Sequence, residues 1–401
     1  MDSVSRRNVA LLFVSRALRS FAAGFMGVII GLYLLHGIGL SPIAIGALFA
    51  VGALSTPAIS LLVGRLGDIY GRKTVLIIDM LTLPLGIAIL LTTRNVYLLG
   101  LSMGLGGFGM AGGLVGGGVG ASVAPVLTAL LAENSDEKNR TTIYSINSQI
   151  NTFAGAAGAA IISFASYRLL FEIGLTLSLL SVAFVLPVRE RFRRDPLGNG
   201  RPATLSDSDK RFIKIFGYTG LLNGIGMGLV SPFLPIIFNQ FFGMNSSQIG
   251  FLMSAGGIIS GIGYSFSTYL ARRLGLVNLI VLSRGIASTL TFLIPFSPSA
   301  AVASFLYVVS TPIRMISLPA QSSLQMSLIG EGSRATASGL NQAARQFPQA
   351  VSTLLTGFMI SALPVYVPFG LAALFNYANS YLYLKFFSRL PGTKSQNGPQ
   401  N

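Results

Sequence analysis

The sequence has no cysteine, no tryptophan, one histidine and only 12 acidic residues in 401. Without cysteine there are no disulfides, no thiolate nucleophile and no cysteine metal ligands. A single imidazole, His36, cannot assemble a zinc site. Metal-dependent and hydrolytic chemistry therefore has almost no raw material, so no metal, no cofactor and no enzymatic activity is expected. No glycine-rich loop ends in Lys-Ser/Thr, which argues against nucleotide-driven pumping. Charge is scarce too. Asp, Glu, Lys and Arg together make up 10% of the chain, against roughly 25% in soluble domains.

What is abundant is apolar: 52% of the residues are hydrophobic. The apolar runs recur almost to the end of the chain, most of them at or above the ~20 residues that cross a bilayer as a helix. Spans are read at 9–35, 41–64, 74–93, 96–131, 140–165, 167–188, 210–239, 245–270, 276–296, 299–328, 334–362 and 364–387. A membrane barrel would show short alternating segments instead. The first run is too long for a cleavable signal peptide and carries Arg16 and Arg19. The expectation is an all-α membrane protein with twelve transmembrane helices, residing in the cell membrane as a multi-pass monomer.

The 28 basic residues set the orientation. With the N-terminus in the cytoplasm, only Arg94 and Arg168 fall on the opposite side, and Arg16, Arg19, Arg284, Arg314 and Arg345 fall within spans. The positive-inside rule then places both termini in the cytoplasm. A basic face beside anionic lipid accounts for the +16 net charge, so no nucleic-acid partner is needed. The one long polar interruption, rich in charge, Pro and Gly, reads as a linker at 189–209. It divides a bundle at 1–188 from a second at 210–387, with a cytoplasmic tail at 388–401.

The two halves read as copies. An offset of 204 maps Gly24 to Gly228, Arg19 to Asn223, Gly39 to Gly243, Ile45 to Ile249, Leu66 to Leu270 and Gly71 to Gly275. Beyond the glycine-rich stretch at 104–120, an offset of 194 maps Pro125 to Pro319, Arg140 to Arg334 and Asn147 to Asn341. Two repeated bundles around a midplane site form a transporter plan, in which rocking one half against the other exposes the site to each side in turn.

Between the second and third spans stands Gly64-Arg65-Leu66-Gly67-Asp68-Ile69-Tyr70-Gly71-Arg72-Lys73. It resembles the signature loop of the major facilitator superfamily, G-x-L-a-D-[RK]-x-G-R-[RK], at Gly64, Leu66, Asp68, Gly71, Arg72 and Lys73; Ile69 stands where a basic residue is usual. The resemblance implies two pseudo-symmetric six-helix bundles. Gly64 permits close helix approach, and Gly71 a tight turn. Asp68 can face a helix N-terminus, where unpaired amides favour an anion, and Arg72 and Lys73 can meet carboxylates on neighbouring helix ends. Glu133 and Arg140 resemble the family's E-x6-R element after span 4. The implied role for these charges is a cytoplasmic gate. The alternative is that they anchor loops at the lipid surface.

Ionisable groups inside spans are costly and usually face a cavity or a partner. At 1.5 Å per residue, Arg19, Arg314 and Arg345 sit roughly 15–20 Å from their span ends, near the midplane. In the family, spans 1, 4, 7 and 10 line the central cavity, with 2, 5, 8 and 11 beside them. By that resemblance Arg19, Arg314 and Arg345 point to it, with Asn223 on span 7 and Asn341 one helical turn before Arg345. Guanidinium forks suit carboxylate and phosphate, so an anionic solute is one reading. Pairing with Asp79, Glu172 or backbone carbonyls, or snorkelling, is the other, above all for Arg16 and Arg284. If protons are coupled, Asp79 is the first candidate carboxylate and Glu172 the second, although Asp79 would serve equally as a structural partner of Arg16 or Arg19. Span 5 has Gly155-Ala156-Ala157-Gly158 without the proline typical of the family's drug/proton exporters, and span 4 has no arginine. The expected function is secondary active transport of a small organic solute by alternating access. Proton-coupled efflux of amphipathic compounds, and a non-transporting sensor or scaffold of the same fold, are the competing readings.

Overall fold

A computed structural model describes residues 3–110, 121–190, 207–329 and 334–388, and among them no strand occurs. Among the described residues fourteen α-helices follow one another: α1 Ser3–Leu32, α2 Pro42–Tyr70, α3 Arg72–Thr92, α4 Val96–Gly106, α5 Ala124–Glu133, α6 Glu137–Ala160, α7 Tyr167–Val185, α8 Asp207–Gly228, α9 Leu234–Phe242, α10 Ser246–Leu274, α11 Leu276–Leu293, α12 Ala300–Leu328, α13 Arg334–Ala362 and α14 Tyr366–Phe387. Among the described residues, eight helical stretches are long and apolar enough to cross a membrane. The chain is thus a multi-pass helical membrane protein.

Two of the predicted spans are interrupted. In the fourth, α4 stops at Gly107, whose φ of 63° is left-handed and caps the helix. The next described α-helix begins at Ala124, and residues 111–120 lie outside the described residues. In the seventh, α8 ends at Gly228 and α9 begins at Leu234. Pro232 and Pro235 have no N–H to continue the ladder, so a short 3-10 turn at Ser231–Phe233 bridges them.

The sequence repeat recurs in the geometry. Gly71 (φ 100°) precedes α3, and Gly275 (φ 82°), its mate at the offset of 204, precedes α11. Both adopt a backbone that favours glycine, which lets one residue reverse the chain. The same correspondence holds between helices. A methyl group on Gly24 of α1 would lie 1.9 Å from the Gly155 carbonyl oxygen of α6. A methyl on Gly228 of α8 would lie 2.2 Å from the Gln349 carbonyl oxygen of α13. Offsets of 204 and 194 convert one pair into the other. Small residues thus bring α1 against α6 and α8 against α13 in the same way.

The chain forms two compact units. One comprises the described residues of Met1–Pro196 together with Ser231–Gly257, the other those of Leu197–Val230 and Ile258–Asn401. The first therefore takes in α9 and the start of α10, which the sequence division assigns to the second bundle. Gly31 leaves room for Ile236, and Gly250 sits against the Ala159 carbonyl oxygen and Ile162. The first unit is filled by Leu12, Leu76, Met80, Leu130 and Val185, among others. Phe216, Ile280, Leu324, Tyr383 and Phe387 occupy the core of the second.

Candidate functional site

The second unit carries a polar cluster in an apolar setting. Arg284 on α11 is buried, 4% exposed. It donates through Nη1 to Asn379 Oδ1 of α14 and through Nη2 to Gln321 Oε1 of α12, and its guanidinium lies 5.1 Å from the centre of the Tyr383 ring. The side chain is held on three sides. Two asparagines meet the next arginine. Arg314 Nη2 on α12 reaches Asn223 Oδ1 of α8 at 3.4 Å and Asn376 Oδ1 of α14 at 3.5 Å. Both contacts are long beside the usual 2.9–3.0 Å, and Arg314 is half-buried. Arg345 on α13 is half-buried as well and has no hydrogen-bond partner among the described residues. Its backbone carbonyl lies against Gly224, where a methyl group would be 2.0 Å away. Asn341, one turn earlier, donates to Gln325 Oε1 at 3.1 Å.

Helical spacing produces this arrangement. Arg314, Gln321 and Gln325 are seven and eleven residues apart along α12 and so share one face, as do Asn376 and Asn379 on α14 and Asn341 and Arg345 on α13. Among the described residues no carboxylate pairs with these arginines. Residues 210 to 330, and 332 to the end, contain neither Asp nor Glu. The groups that meet Arg284 and Arg314 are amide oxygens and one aromatic ring.

In the first unit, Arg19 of α1 is 3% exposed and donates through Nη1 to the Met80 carbonyl at 3.2 Å. The neighbouring Asp79 of α3 is 2% exposed. Its Oδ1 accepts from Ser122 Oγ at 2.9 Å, while its Oδ2 is buried with no partner among the described residues. Arg16 Nε is buried and unpartnered in the same sense. Glu172 differs. It is exposed on α7 and pairs with Arg168 one turn earlier, at 3.0 Å. His36 is exposed, yet its Nε2 lies 2.6 Å from Asn239 Oδ1, and Asn239 is fixed by donating to the Met244 carbonyl.

A second charged cluster gathers at one end of the first unit. Arg72 Nη1 forms an ion pair with Glu133 Oε1. Burial pushes the Glu133 carboxyl above its ordinary value of 4.5, and the Arg72 charge opposes that shift. Glu190 covers the N-terminus of α3, its two oxygens accepting from the backbone N–H groups of Arg72 and Lys73. This satisfies two donors that a helix start leaves open. Gly71, tight against Glu190, would bring a methyl group within 3.1 Å of Oε2. Gly64 and Asp68 belong to α2 and Arg140 to α6, but their side chains lie outside the described residues.

Sequence reasoning missed Glu190, Gln321, Asn376 and Asn379, and placed Arg284 among the arginines that snorkel or find a carboxylate. Amides inside otherwise apolar spans, together with the run of 121 residues without an acid from 210 to 330, are the signals that point to this cluster.

A family profile described as the Major Facilitator Superfamily matches residues 12–353. No curated protein matches by sequence. Solved structures do match across nearly the whole chain. An auto-inhibited peptide transporter of the POT family aligns at 13% identity over 98% of this chain and 99% of its own, with a TM-score of 0.77. A D-xylose-proton symporter aligns at 14% identity over 98% and 100%, with a TM-score of 0.76. The human organic anion transporter MFSD10 aligns at 15% identity over 96% and 100%, with a TM-score of 0.67. At such identities these structures share a fold with this chain, and the profile match over most of its length supplies the rest: the protein belongs to the major facilitator superfamily of transporters.

Proposed function

We propose that the protein is a secondary active transporter that carries a small organic anion across the cell membrane by alternating access, with both termini in the cytoplasm. One observation carries the anionic assignment. Arg284, Arg314 and Arg345 occupy the second unit without a carboxylate partner among the described residues, in a chain that has no acid from 210 to 330. Permanent charge in a membrane-embedded bundle costs several kcal/mol unless something neutralises it, and a solute carboxylate or phosphate does so while matching the guanidinium fork. Arg314, Asn223, Asn341 and Arg345 bind that solute in this reading. The likeness to a human organic anion transporter supports the choice of cargo.

Asp79 is the coupling group of this proposal. It is buried, keeps one oxygen without a partner among the described residues and lies beside Arg19, so a proton can occupy that oxygen when the solute site changes. Glu172 is the weaker candidate because it is exposed and already paired with Arg168. The Arg72–Glu133 pair, with Gly64, Asp68, Gly71, Lys73 and Arg140, serves as the cytoplasmic gate.

The test is uptake into proteoliposomes of radiolabelled anionic, neutral and cationic probes, by the native chain and by Arg314→Gln. Anion uptake that Arg314→Gln abolishes, with the variant still folded in detergent, is the expected result. Uptake of cationic probes that Arg314→Gln leaves intact would contradict the charge assignment.

A further inference from the structure

Resting on the anion reading above, we infer that the site takes a solute with two negative charges, a dicarboxylate or a phosphate monoester, and that Arg284 is the positioning residue that sets this preference. The three arginines of the second unit differ in how they are held. Arg284 is held by Asn379, Gln321 and the Tyr383 ring, and is nearly closed to solvent. Burial and these partners fix its position, so it contributes charge from a set place. Arg314 is different. One of its nitrogens is shared between Asn223 and Asn376 at 3.4 and 3.5 Å, long contacts that a carboxylate or phosphate oxygen displaces readily. Arg345 has no partner among the described residues, and both it and Arg314 are half-buried. Two guanidinium groups are therefore available to grip a solute, and the third is buried in the same unit.

Charge arithmetic leads to the divalent class. Arg284 and Arg314 meet one face of α14 at Asn379 and Asn376, Arg314 and Arg345 adjoin α8 at Asn223 and Gly224, and no acid between 210 and 330 offsets them. A monoanion leaves two of the three positive charges unbalanced in a medium of low dielectric, where mutual repulsion is strong. A dianion leaves one. Gln321 links the fixed and the free arginine, because it holds Arg284 and stands on the same face of α12 as Arg314, two turns along. Converting this one amide into a carboxylate neutralises Arg284 in place with almost no change of shape.

The experiment measures binding to the purified full chain by ligand-induced thermal stabilisation and by calorimetry, at pH 7.5 and constant ionic strength. The probes are succinate and phenyl phosphate as dianions, butyrate and benzoate as monoanions. In the native chain the dianions are expected to bind about tenfold or more tightly than the monoanions. In Gln321→Glu two uncompensated charges remain instead of three, so both classes of probe bind more weakly and the dianions lose more, which lowers the ratio by about threefold or more; Arg284→Lys keeps more of the ratio because the charge remains. Anion binding with a native ratio near one would overturn the divalent assignment while leaving the anion reading intact. Absence of binding by any of the four probes, together with uptake of a cation, would overturn both. A Gln321→Glu variant that loses thermal stability but keeps the ratio would show Gln321 and Arg284 to be structural only, and would overturn the positioning role.

Discussion

Arg72 and Glu133 show how a single residue is read through its partner. The pair is partly covered, with side-chain exposures of 27% and 17%, so removing one member leaves the other poorly solvated. Arg72→Gln is expected to cost about 1–3 kcal/mol, between the values for exposed and buried pairs. The sign of the pH dependence follows from burial. Glu133 has a folded pKa above its ordinary value, so the folded state holds that proton more tightly than the unfolded chain does. Stability from this group is full at acid pH and is lost as pH rises through the folded pKa. Losing Arg72 removes the charge that opposes the upward shift, so the window widens towards neutral pH. Thermal unfolding in detergent should show Arg72→Gln more destabilised at pH 8 than at pH 5, and adding Glu133→Gln should suppress that difference. Equal destabilisation at both values would mean that Glu133 does not depend on Arg72. Asp79 offers a functional counterpart. Asp79→Asn should abolish accumulation driven by a pH gradient while sparing solute exchange, measured as counterflow in proteoliposomes; loss of both would make Asp79 structural.

The elements pack through glycine at matched places. Gly24→Ala drives a methyl group to 1.9 Å from the Gly155 carbonyl oxygen, and Gly228→Ala to 2.2 Å from that of Gln349. Helices must separate to admit either, at a cost of about 1–3 kcal/mol each. Gly285 on α11 has no atom within 4 Å of the place a methyl group would take, so Gly285→Ala should be neutral or stabilise by up to about 1 kcal/mol. Melting temperatures of the three variants check the contrast. These elements are largely legible in the sequence. Apolar runs predict helices because a backbone in lipid must satisfy its own hydrogen bonds, and the offset of 204 already pairs Gly71 with Gly275, both found at φ above 80° before a helix. The break between α8 and α9 is less so. Pro232 and Pro235 mark it, but the apolar run continues unbroken through them. Nor does the sequence announce that Ser231–Gly257 packs with the first unit, because that depends on contacts such as Gly250 with Ile162, between positions distant in the chain.

At the scale of the whole molecule, the distribution of charge distinguishes the two halves of an otherwise repeated plan. Arg19 becomes Asn223, Asp79 becomes Ser283, Met80 becomes Arg284 and Asn151 becomes Arg345 under the two offsets. The first half keeps an acid beside its arginines; the second discards the acid and accumulates arginine. That arginines fall within apolar helices is legible from the sequence alone. Their division of labour is not, since the partners of Arg284 come from α12 and α14 and those of Arg314 from α8 and α14. Such convergence is a property of the folded bundle.

The absence of native cysteine makes the decisive measurement clean, because each introduced thiol reports alone. Single cysteines at Asn223, Asn341 and Ala344, in membranes of known orientation, should react with a membrane-impermeant maleimide from either side of the bilayer, and an anionic solute should slow both reactions. Positions sealed from the reagent on both faces, or labelled at rates that no anion changes, would contradict a solute site opened to each side in turn.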